Sequence, residues 1–503
     1  MKNKIDESNV VSRQELGVIT NFLKNIFKLK NPDELVKNAE KSNLNKTLGA
    51  FDLIVLGVGA IIGSGIFTVV GIATVGGPES VGAGPALIVS MVLASIACIF
   101  SALCYSEFAA MIPVAGSAYV YTFATMGEMM AFVIGWVLML EYLLGYIAVA
   151  SAWTGYLFQF LKGFEAYLPA WMVNQDVWVF EIGKLFGTLP VTLNIPAIIA
   201  TIIFGAILVK GTRESTRAAA IMVVIKLAVI LMFVLTGAFF VKPENWTPFA
   251  PNGFEGIFMG AFIIFFAYIG FDAIATAAEE TKNPQKNLPI GIIGSLLVCT
   301  LVYVLVGLVL TGAVPLNEID IQAPVAHAMR YIGQDWVAGF ISIGALTGLT
   351  SVLLVLMLAG TRILFAMSRD KLLPSPLQIV HPKFQTPYVV TILFVILAVL
   401  GSLFLNINVA AELCNFGTLT CFMIVCLAII ILRKIDPNRP RPFKVPLVPF
   451  FPLMGIICCG GLMIYSMKSL TTSSMLFPVW LVVGAMIYFA YGYRKNKIEE
   501  QEK

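Results

Sequence analysis

The sequence predicts an all-α integral membrane protein with twelve transmembrane helices. Of its 503 residues, 58% are hydrophobic and 12% are charged, and the mean hydropathy is +0.88. A soluble chain carries about 25% charged residues, so this composition does not suit a water-facing surface. Long apolar runs alternate with short charged gaps, and about 20 helical residues are enough to cross the hydrocarbon layer.

Twelve apolar runs approach or exceed that length, and each is predicted to span the bilayer once. They cover approximately residues 49–75, 84–112, 123–160, 194–210, 218–241, 254–278, 288–314, 336–361, 387–411, 413–432, 447–467 and 475–493. Residues 1–48 are polar and have no apolar core near their start, so they are interpreted as a cytoplasmic tail and not as a signal peptide. Residues 494–503 form a second, shorter tail.

The distribution of positive charge predicts the orientation. With the amino terminus inside, 27 of the 33 Lys and Arg residues lie on the cytoplasmic side, five lie outside, and Lys226 falls within a run. Cytoplasmic loops carry the excess of Lys and Arg, so both termini are predicted to be cytoplasmic in a multi-pass plasma-membrane protein. The net charge of +4 is too small to indicate a nucleic-acid partner.

Two glycine-containing interruptions indicate an internal repeat. The first run is broken by Gly63-Ser64-Gly65, and the sixth contains Ala267-Tyr268-Ile269-Gly270-Phe271-Asp272. The two interruptions are offset by five spans, so each repeat would contain five helices. An odd number of helices per repeat inverts the second copy against the first. Residues 49–241 and 254–432 are therefore predicted to be the two repeats, followed by an additional helix pair at 447–493. Paired interruptions of this kind point to the binding site of a transporter.

The first interruption is a candidate site for charged groups of a ligand. Glycine costs about 1 kcal/mol per helical position relative to alanine, and unwound backbone inside a membrane must be satisfied by protein, ligand or water. Free N–H groups near Ser64 could bind a carboxylate, and free carbonyls could bind an ammonium. The structural alternative is close helix packing by small residues. The spacing fits neither a phosphate-binding loop nor a dinucleotide fingerprint.

Lys226 is the most costly residue in the apolar runs. It lies eight residues into the run 218–241, and a lysine at the centre of a membrane helix costs about 2.5–3.5 kcal/mol. Such a side chain could carry a coupling proton, or it could act as a fixed cation in place of a bound metal ion. The alternative is a lysine whose amine reaches the membrane interface.

Other polar residues within the runs have both functional and structural interpretations. Asp272 and Glu141 are candidates for proton exchange or for contact with a basic substrate, and the alternative for each is a buried ion pair or hydrogen bond. Thr350 and Ser351 could supply hydroxyls near the fifth span, although such hydroxyls usually bond within or between helices. Glu107 is interpreted as a structural partner of loop amides.

The sequence contains few residues in the patterns that metal sites and enzyme active sites require. The eight cysteines lie within apolar runs, without the paired spacing of a zinc site, and there are only two histidines. No His-Glu-x-x-His pair or comparable nucleophile and base pattern is present. The sequence therefore predicts a protein that is not an enzyme and that has no metal or organic cofactor.

Five stretches carry a resemblance to a known family. They include Ile-Ile-Gly-Ser-Gly-Ile-Phe in 44–67, Tyr-Ser-Glu-Phe-Ala and Pro-Val-Ala-Gly-Ser-Ala-Tyr in 104–121, and Gly-Phe-Asp with Glu-Glu-Thr-Lys-Asn-Pro-Gln-Lys-Asn in 265–288. The others are 365–374 and 415–419. In combination the chain resembles the amino acid–polyamine–organocation superfamily of secondary transporters, and most closely its bacterial permeases that are similar to cationic amino acid transporters.

The resemblance implies the LeuT-type fold of five-plus-five inverted repeats, with broken helices 1 and 6 and two additional helices. It also implies an α-amino acid held between the two breaks. Its carboxylate would meet the Ser64 hydroxyl and the Gly65 amide, beside Gly63. Its ammonium would meet carbonyls of Ile61, Phe266 and Ile269, with Ala267 nearby and the Phe266 ring as a gate. Lys226 matches the lysine that proton-coupled relatives place where sodium-coupled relatives bind sodium.

The predicted function is import of L-amino acids, neutral, cationic or both, by proton symport and alternating access. H⁺ would be the coupling ion. The alternatives are an amino acid exchanger and an amino acid sensor on the same fold. The preferred amino acid, the oligomeric state and the role of the 48-residue tail are not predicted.

Overall fold

A computed structural model describes residues 29–33, 46, 48–77, 80–114, 117–162, 172, 175–181, 188–210 and 215–492. Most of the predicted amino-terminal tail, 1–48, and all of the predicted carboxyl-terminal tail, 494–503, lie outside these residues.

Helices make up most of the described chain. Its first part contains α1 (Ala50–Ile61), α2 (Gly65–Val75), α3 (Leu87–Met111), α4 (Ser117–Thr125), α5 (Glu128–Lys162), α6 (Ile195–Lys210), α7 (Ser215–Ala238) and α8 (Gly253–Phe265). Its second part contains α9 (Pro284–Ala313), α10 (Pro324–Tyr331), α11 (Asp335–Arg369), α12 (Tyr388–Phe404), α13 (Ile407–Ile435), α14 (Phe450–Ser466) and α15 (Thr471–Ile487).

Shorter elements connect these helices. Two antiparallel hairpins pair β1 (Gly76–Gly77) with β2 (Ser80–Val81) and β3 (Gln175–Glu181) with β4 (Thr188–Leu193). The 3₁₀ helices are Gly84–Ala86, Pro243–Trp246, Phe266–Tyr268, Phe271–Glu280, Leu316–Glu318 and Ser375–Gln378, and π-helical turns lie at Gly65–Val69 and Tyr488–Gly492.

The apolar helices coincide with the twelve predicted runs. Eight helical stretches of the described chain are long and apolar enough to cross a membrane, and α1 and α2 form a ninth unit that bends by 47° at its break. Three shorter apolar helices, α6, α12 and α14, match the remaining runs. The boundaries differ by several residues: the run predicted from 123 is divided by Gly127 (φ 92°), so that α4 ends before it and α5 begins after it.

Local sequence explains where several helices begin. The Asn406 carboxamide accepts the Val409 N–H at 2.9 Å and caps α13, while the Asp320 carboxylate accepts the Gln322 and Ala323 N–H groups just before α10. Proline stands at the first position of α9 and of α10, where its missing N–H has no helical partner to lose.

The long helix α5 lies at the centre of the molecule, between α11 and α13, and α9 packs against α1 and α3. In the most apolar stretch of each span, 94% of the residues are buried in α5, 33% in α7 and 22% in the last span. Therefore α7 and the last span lie at the periphery of the molecule. Large apolar side chains such as Val224 and Leu301 are more than 60% exposed. An apolar exterior of this extent is suited to lipid.

A buried ion cluster joins α3 to the segment between α13 and α14, on the side predicted to be cytoplasmic. The fully buried Glu107 carboxylate accepts two bonds from Arg433, at 2.6 and 3.1 Å, and one from the Val445 N–H at 2.7 Å. Arg441 lies 3.3 Å from the same carboxylate. Glu107 therefore binds a loop amide and two arginines, as the structural interpretation of this residue expects.

Candidate functional site

The first helix break separates α1 from α2 at Ile62–Ser64. Ile62 leaves the helical conformation (φ −73°, ψ 100°), and the chain resumes as a π-helical turn at Gly65. The side chains of Ser64 and Thr68 are each 1% exposed, and neither hydroxyl has a hydrogen-bond partner among the described residues. The break therefore presents two buried hydroxyls that are free to bind a ligand.

The second break follows α8. The 3₁₀ turn Phe266–Tyr268 leads to extended Ile269, and Gly270 then adopts φ 115°, a conformation that favours glycine. A side chain at Gly270 would also approach the Ala60 carbonyl oxygen to 2.9 Å. Both constraints explain why glycine stands where the sixth span unwinds.

The two breaks touch each other. A Cβ added at Gly65 would lie 2.3 Å from the Ala267 Cα, so the backbones meet without an intervening side chain. The Tyr303 hydroxyl of α9 lies 3.0 Å from the Ile61 carbonyl oxygen and 2.8 Å from that of Ala267. A tyrosine hydroxyl has one proton and can donate it to only one of these carbonyls at a time. The other carbonyl is then available to an ammonium group.

The structure thus brings together the residues predicted to bind substrate. Ile61, Gly63, Ser64 and Gly65 lie at the first break, beside the second break with Phe266, Ala267 and Ile269. All are buried except Ile269, which is half-buried.

Lys226 binds the end of α1. Its ammonium donates to the Gly59 carbonyl and, at 2.7 Å, to the Ile62 carbonyl, and the side chain is fully buried. Gly348 of α11 makes room for it, because a Cβ there would lie 3.3 Å from the Lys226 Cβ. An amine held by two backbone carbonyls is not at an interface, which argues against the alternative of a lysine reaching the membrane surface.

Glu141 and Asp272 lie in a second polar region next to the breaks. Each is 2% exposed, they are close enough to interact electrostatically, and neither forms an ion pair with a described residue. The Oε2 atom of Glu141 and the hydroxyls of Tyr105 and Tyr121 have no hydrogen-bond partner in the described part of the chain. This region can therefore hold a proton or a cationic group.

Thr350 and Ser351 of α11 donate their hydroxyl protons within their own helix. Thr350 donates to the Leu346 carbonyl and accepts from Trp153 Nε1 of α5, while Ser351 donates to the Gly348 carbonyl. These bonds match the structural alternative for both residues.

Apolar side chains of α5, α11 and α13 pack together close to the first break. A Cβ added at Gly145 of α5 would lie 3.6 Å from the Cys414 sulfur of α13 and 3.7 Å from Leu356 of α11. Val352, one turn before Leu356, lies beside Gly63: a Cβ added at Gly63 would be 3.3 Å from a methyl carbon of Val352. The walls nearest the first break are thus apolar and of moderate size.

Sequence reasoning missed the tyrosines that hold the unwound backbone. Tyr303 bridges the two breaks, and the Tyr156 hydroxyl donates to the Phe67 carbonyl at 2.6 Å. The Asn415 side chain similarly donates to the Phe262 carbonyl at 2.7 Å, within the stretch 415–419 already noted for its resemblance. A tyrosine at mid-membrane needs a partner for its hydroxyl, and that need was the available signal.

Two broken apolar helices that meet inside the molecule, with a cation on the end of one of them, are typical of a polytopic membrane permease. Comparison with known proteins agrees: the sequence matches the amino acid permease family over residues 48–492. The chain therefore belongs to this family, within the amino acid–polyamine–organocation superfamily, which confirms the resemblance and the prediction that it is not an enzyme.

Individual relatives have different named substrates. The branched-chain amino acid permease BcaP of Bacillus subtilis is 45% identical, over 94% of this chain and 99% of its own. The methylthioribose transporter of the same organism is 43% identical, over 95% and 99%. Cationic amino acid transporter 9, chloroplastic, of Arabidopsis thaliana is 40% identical, over 80% of this chain and 69% of its own.

Proposed function

We propose that the protein imports L-amino acids across the plasma membrane by proton symport and alternating access. In this proposal the twelve apolar helices all span the membrane as a five-plus-five inverted repeat with two additional helices, and both termini are cytoplasmic. The observation that carries the proposal is the direct contact between the two unwound segments, which leaves hydroxyl and carbonyl groups free at mid-membrane.

The free groups match the two ends of an amino acid. The substrate carboxylate binds the Ser64 hydroxyl and the backbone N–H groups that begin α2, where the helix dipole favours a negative charge. The ammonium binds whichever of the Ile61 and Ala267 carbonyls Tyr303 leaves free, together with carbonyls of Phe266 and Ile269. The carboxylate and the ammonium of the substrate thus form hydrogen bonds with backbone groups that have no helical partner at the breaks.

Proton coupling is assigned to Lys226. Its ammonium supplies charge-assisted bonds to the last carbonyls of α1, and such bonds are roughly twice as strong as neutral ones. Loss of the proton weakens the contact between α7 and α1 and favours movement of α1. The lysine also occupies these carbonyls, so a sodium ion cannot use them. One proton moving inward supplies about 2.3 kcal/mol per 100 mV.

The apolar residues beside the first break favour a neutral, branched-chain substrate. Val352 and Leu356 of α11 are aliphatic, and BcaP, at 45% identity, is named for branched-chain amino acids. The acidic pair Glu141 and Asp272 favours a second candidate, a basic amino acid, since neither carboxylate has a cationic partner among the described residues.

The test is uptake of labelled leucine into proteoliposomes under an imposed inward proton gradient. We expect accumulation that isoleucine inhibits, that excess arginine and methylthioribose do not inhibit, and that is unchanged when choline replaces external sodium. Inhibition by arginine would assign the basic substrate, and absence of leucine uptake together with uptake of labelled methylthioribose would contradict amino acid import. Uptake that requires internal amino acid would indicate an exchanger, and binding without uptake would indicate a sensor.

A further inference from the structure

An apolar groove of about 640 Å³ lies on the outside of the molecule, away from the helix breaks. Its long wall is one face of α9, formed by Lys286, Ile290, Ile293 and Leu297, and its second wall is Pro442 and Phe443. We propose that this groove binds an anionic phospholipid.

The length of the groove matches one acyl chain. Lys286 and Leu297 are eleven residues apart, which is about 16 Å along a helix and close to half of the roughly 30 Å hydrocarbon layer. A chain entering beside Lys286, in the first turn of α9, therefore reaches the bilayer centre near Leu297. Gly294 also lines the groove, and α1 packs closely against it, since a Cβ there would lie 3.0 Å from Ile54.

Lysines in and next to the groove select the headgroup. Lys286 lines the groove and is exposed. Lys282, four residues before it in the chain, and Lys444, directly after Phe443, are exposed as well. Of the described residues that line the groove, none is acidic. A basic residue near the membrane surface contributes about 1 kcal/mol toward an anionic lipid, which is about fivefold in occupancy.

The second wall is a built structure and not a mobile loop tip. Arg441, directly before Pro442, donates to the carbonyls of Asp436 and Pro437 at 2.7 and 3.0 Å and pairs with the buried Glu107. The cluster that joins α3 to this segment thus also positions Pro442 and Phe443 against α9. A preformed cleft costs the bound lipid less ordering than a surface that must rearrange.

Photolabelling tests this proposal independently of transport. The full-length protein is reconstituted in phosphatidylcholine with a trace of phosphatidylglycerol or phosphatidylcholine that carries a diazirine on one acyl chain, and the labelled peptides are mapped. We expect label within 284–297 and at 442–443, with at least about fivefold more from phosphatidylglycerol. Lys286→Gln should lower the phosphatidylglycerol yield by about fivefold, and Ile290→Trp should fill the groove and lower both yields.

Matched controls lie elsewhere on the same surfaces. Lys383→Gln removes an exposed cation on the same predicted side, and Leu301→Trp enlarges an exposed residue of α9 outside the groove, so neither should change the yield. Equal labelling by both lipids, or an unchanged yield in Lys286→Gln, would overturn the anionic assignment. Label spread over other apolar helices would overturn the site itself.

Discussion

Lys226 shows how a single costly residue can be tied to function. Removal of a lysine from water costs several kcal/mol, and this cost is offset here by the Gly59 and Ile62 carbonyls, which lost helical partners when α1 ended. The lysine and the break therefore stabilise each other. A change of charge at Lys226 acts directly on the end of α1.

The first prediction replaces this cation by an apolar chain of similar length. Lys226→Met should abolish accumulation driven by a proton gradient, because the carbonyls at the end of α1 lose their titratable partner. Accumulation is measured in proteoliposomes at several external pH values, beside Lys242→Met, which removes an exposed lysine after α7. Wild-type pH dependence in Lys226→Met would remove this residue from the coupling mechanism.

The second prediction concerns the hydroxyl between the two breaks. Tyr303→Phe keeps the ring but leaves the Ile61 and Ala267 carbonyls without their shared donor, at a cost of about 1–3 kcal/mol for a buried group. Because this hydroxyl joins the two breaks, we expect their relative position to change and substrate affinity to fall at least tenfold, as measured by binding to the purified protein. Tyr331→Phe, at an exposed tyrosine, should retain wild-type affinity. Unaltered affinity in Tyr303→Phe would show that the Tyr303 hydroxyl is not needed to hold the breaks in the binding geometry.

At the scale of elements, the breaks depend on backbone contact as much as on unwinding. The first and sixth spans unwind at glycines, but Gly65 is required mainly because Ala267 occupies the place of its side chain. Tyr303 then joins the two segments from a third helix. The site is thus an assembly of three elements, and a change at any contact moves the other two.

The third prediction separates the broken elements. In Gly65→Ala the new methyl group would lie 2.4 Å from the Ala267 Cβ and 2.3 Å from its Cα, so the two backbones must move apart. We expect uptake to be lost and the free energy of unfolding to fall by about 1–3 kcal/mol, as overpacking usually costs. Thermal unfolding and uptake are measured beside Gly339→Ala, where the added methyl group meets no atom within 4 Å. Wild-type uptake in Gly65→Ala would contradict contact between the breaks in transport.

The same elements show what the sequence could predict. Apolar runs and the positions of Gly63, Gly65 and Gly270 located the helices and both breaks, because length and glycine content act locally. The bonds of Tyr303 to Ile61 and Ala267 span up to 242 residues, and no local pattern encodes such a pairing. The short helix α10 escaped prediction because its eight residues are polar enough to resemble a loop.

At the scale of the whole molecule, polar contacts join separate elements at both ends of the structure. On one side α10 packs over α2, where Gly71 lies against the Asp320 carbonyl, and Arg330 donates to the side chain and backbone of Gln159 on α5. On the other side Lys30 pairs with Asp370 at 2.7 Å. In the proposed alternating access, these two contacts open in turn.

The fourth prediction tests whether the two contacts act in opposition. Loss of a charge-assisted bond in Arg330→Ala should favour the outward-open state and lower the external KM for uptake. Asp370→Asn should favour the inward-open state and raise it by up to about fivefold, since a partly exposed ion pair contributes about 1 kcal/mol or less. Apparent affinity falls in proportion to the fraction of the competent state, so the external KM reports that fraction directly.

Glu318→Gln and Lys383→Gln, at exposed residues on each side, should leave the external KM unchanged. If both variants shifted the KM in the same direction, the two contacts would not be opposing gates; if the directions were exchanged, the predicted orientation of the chain would be wrong.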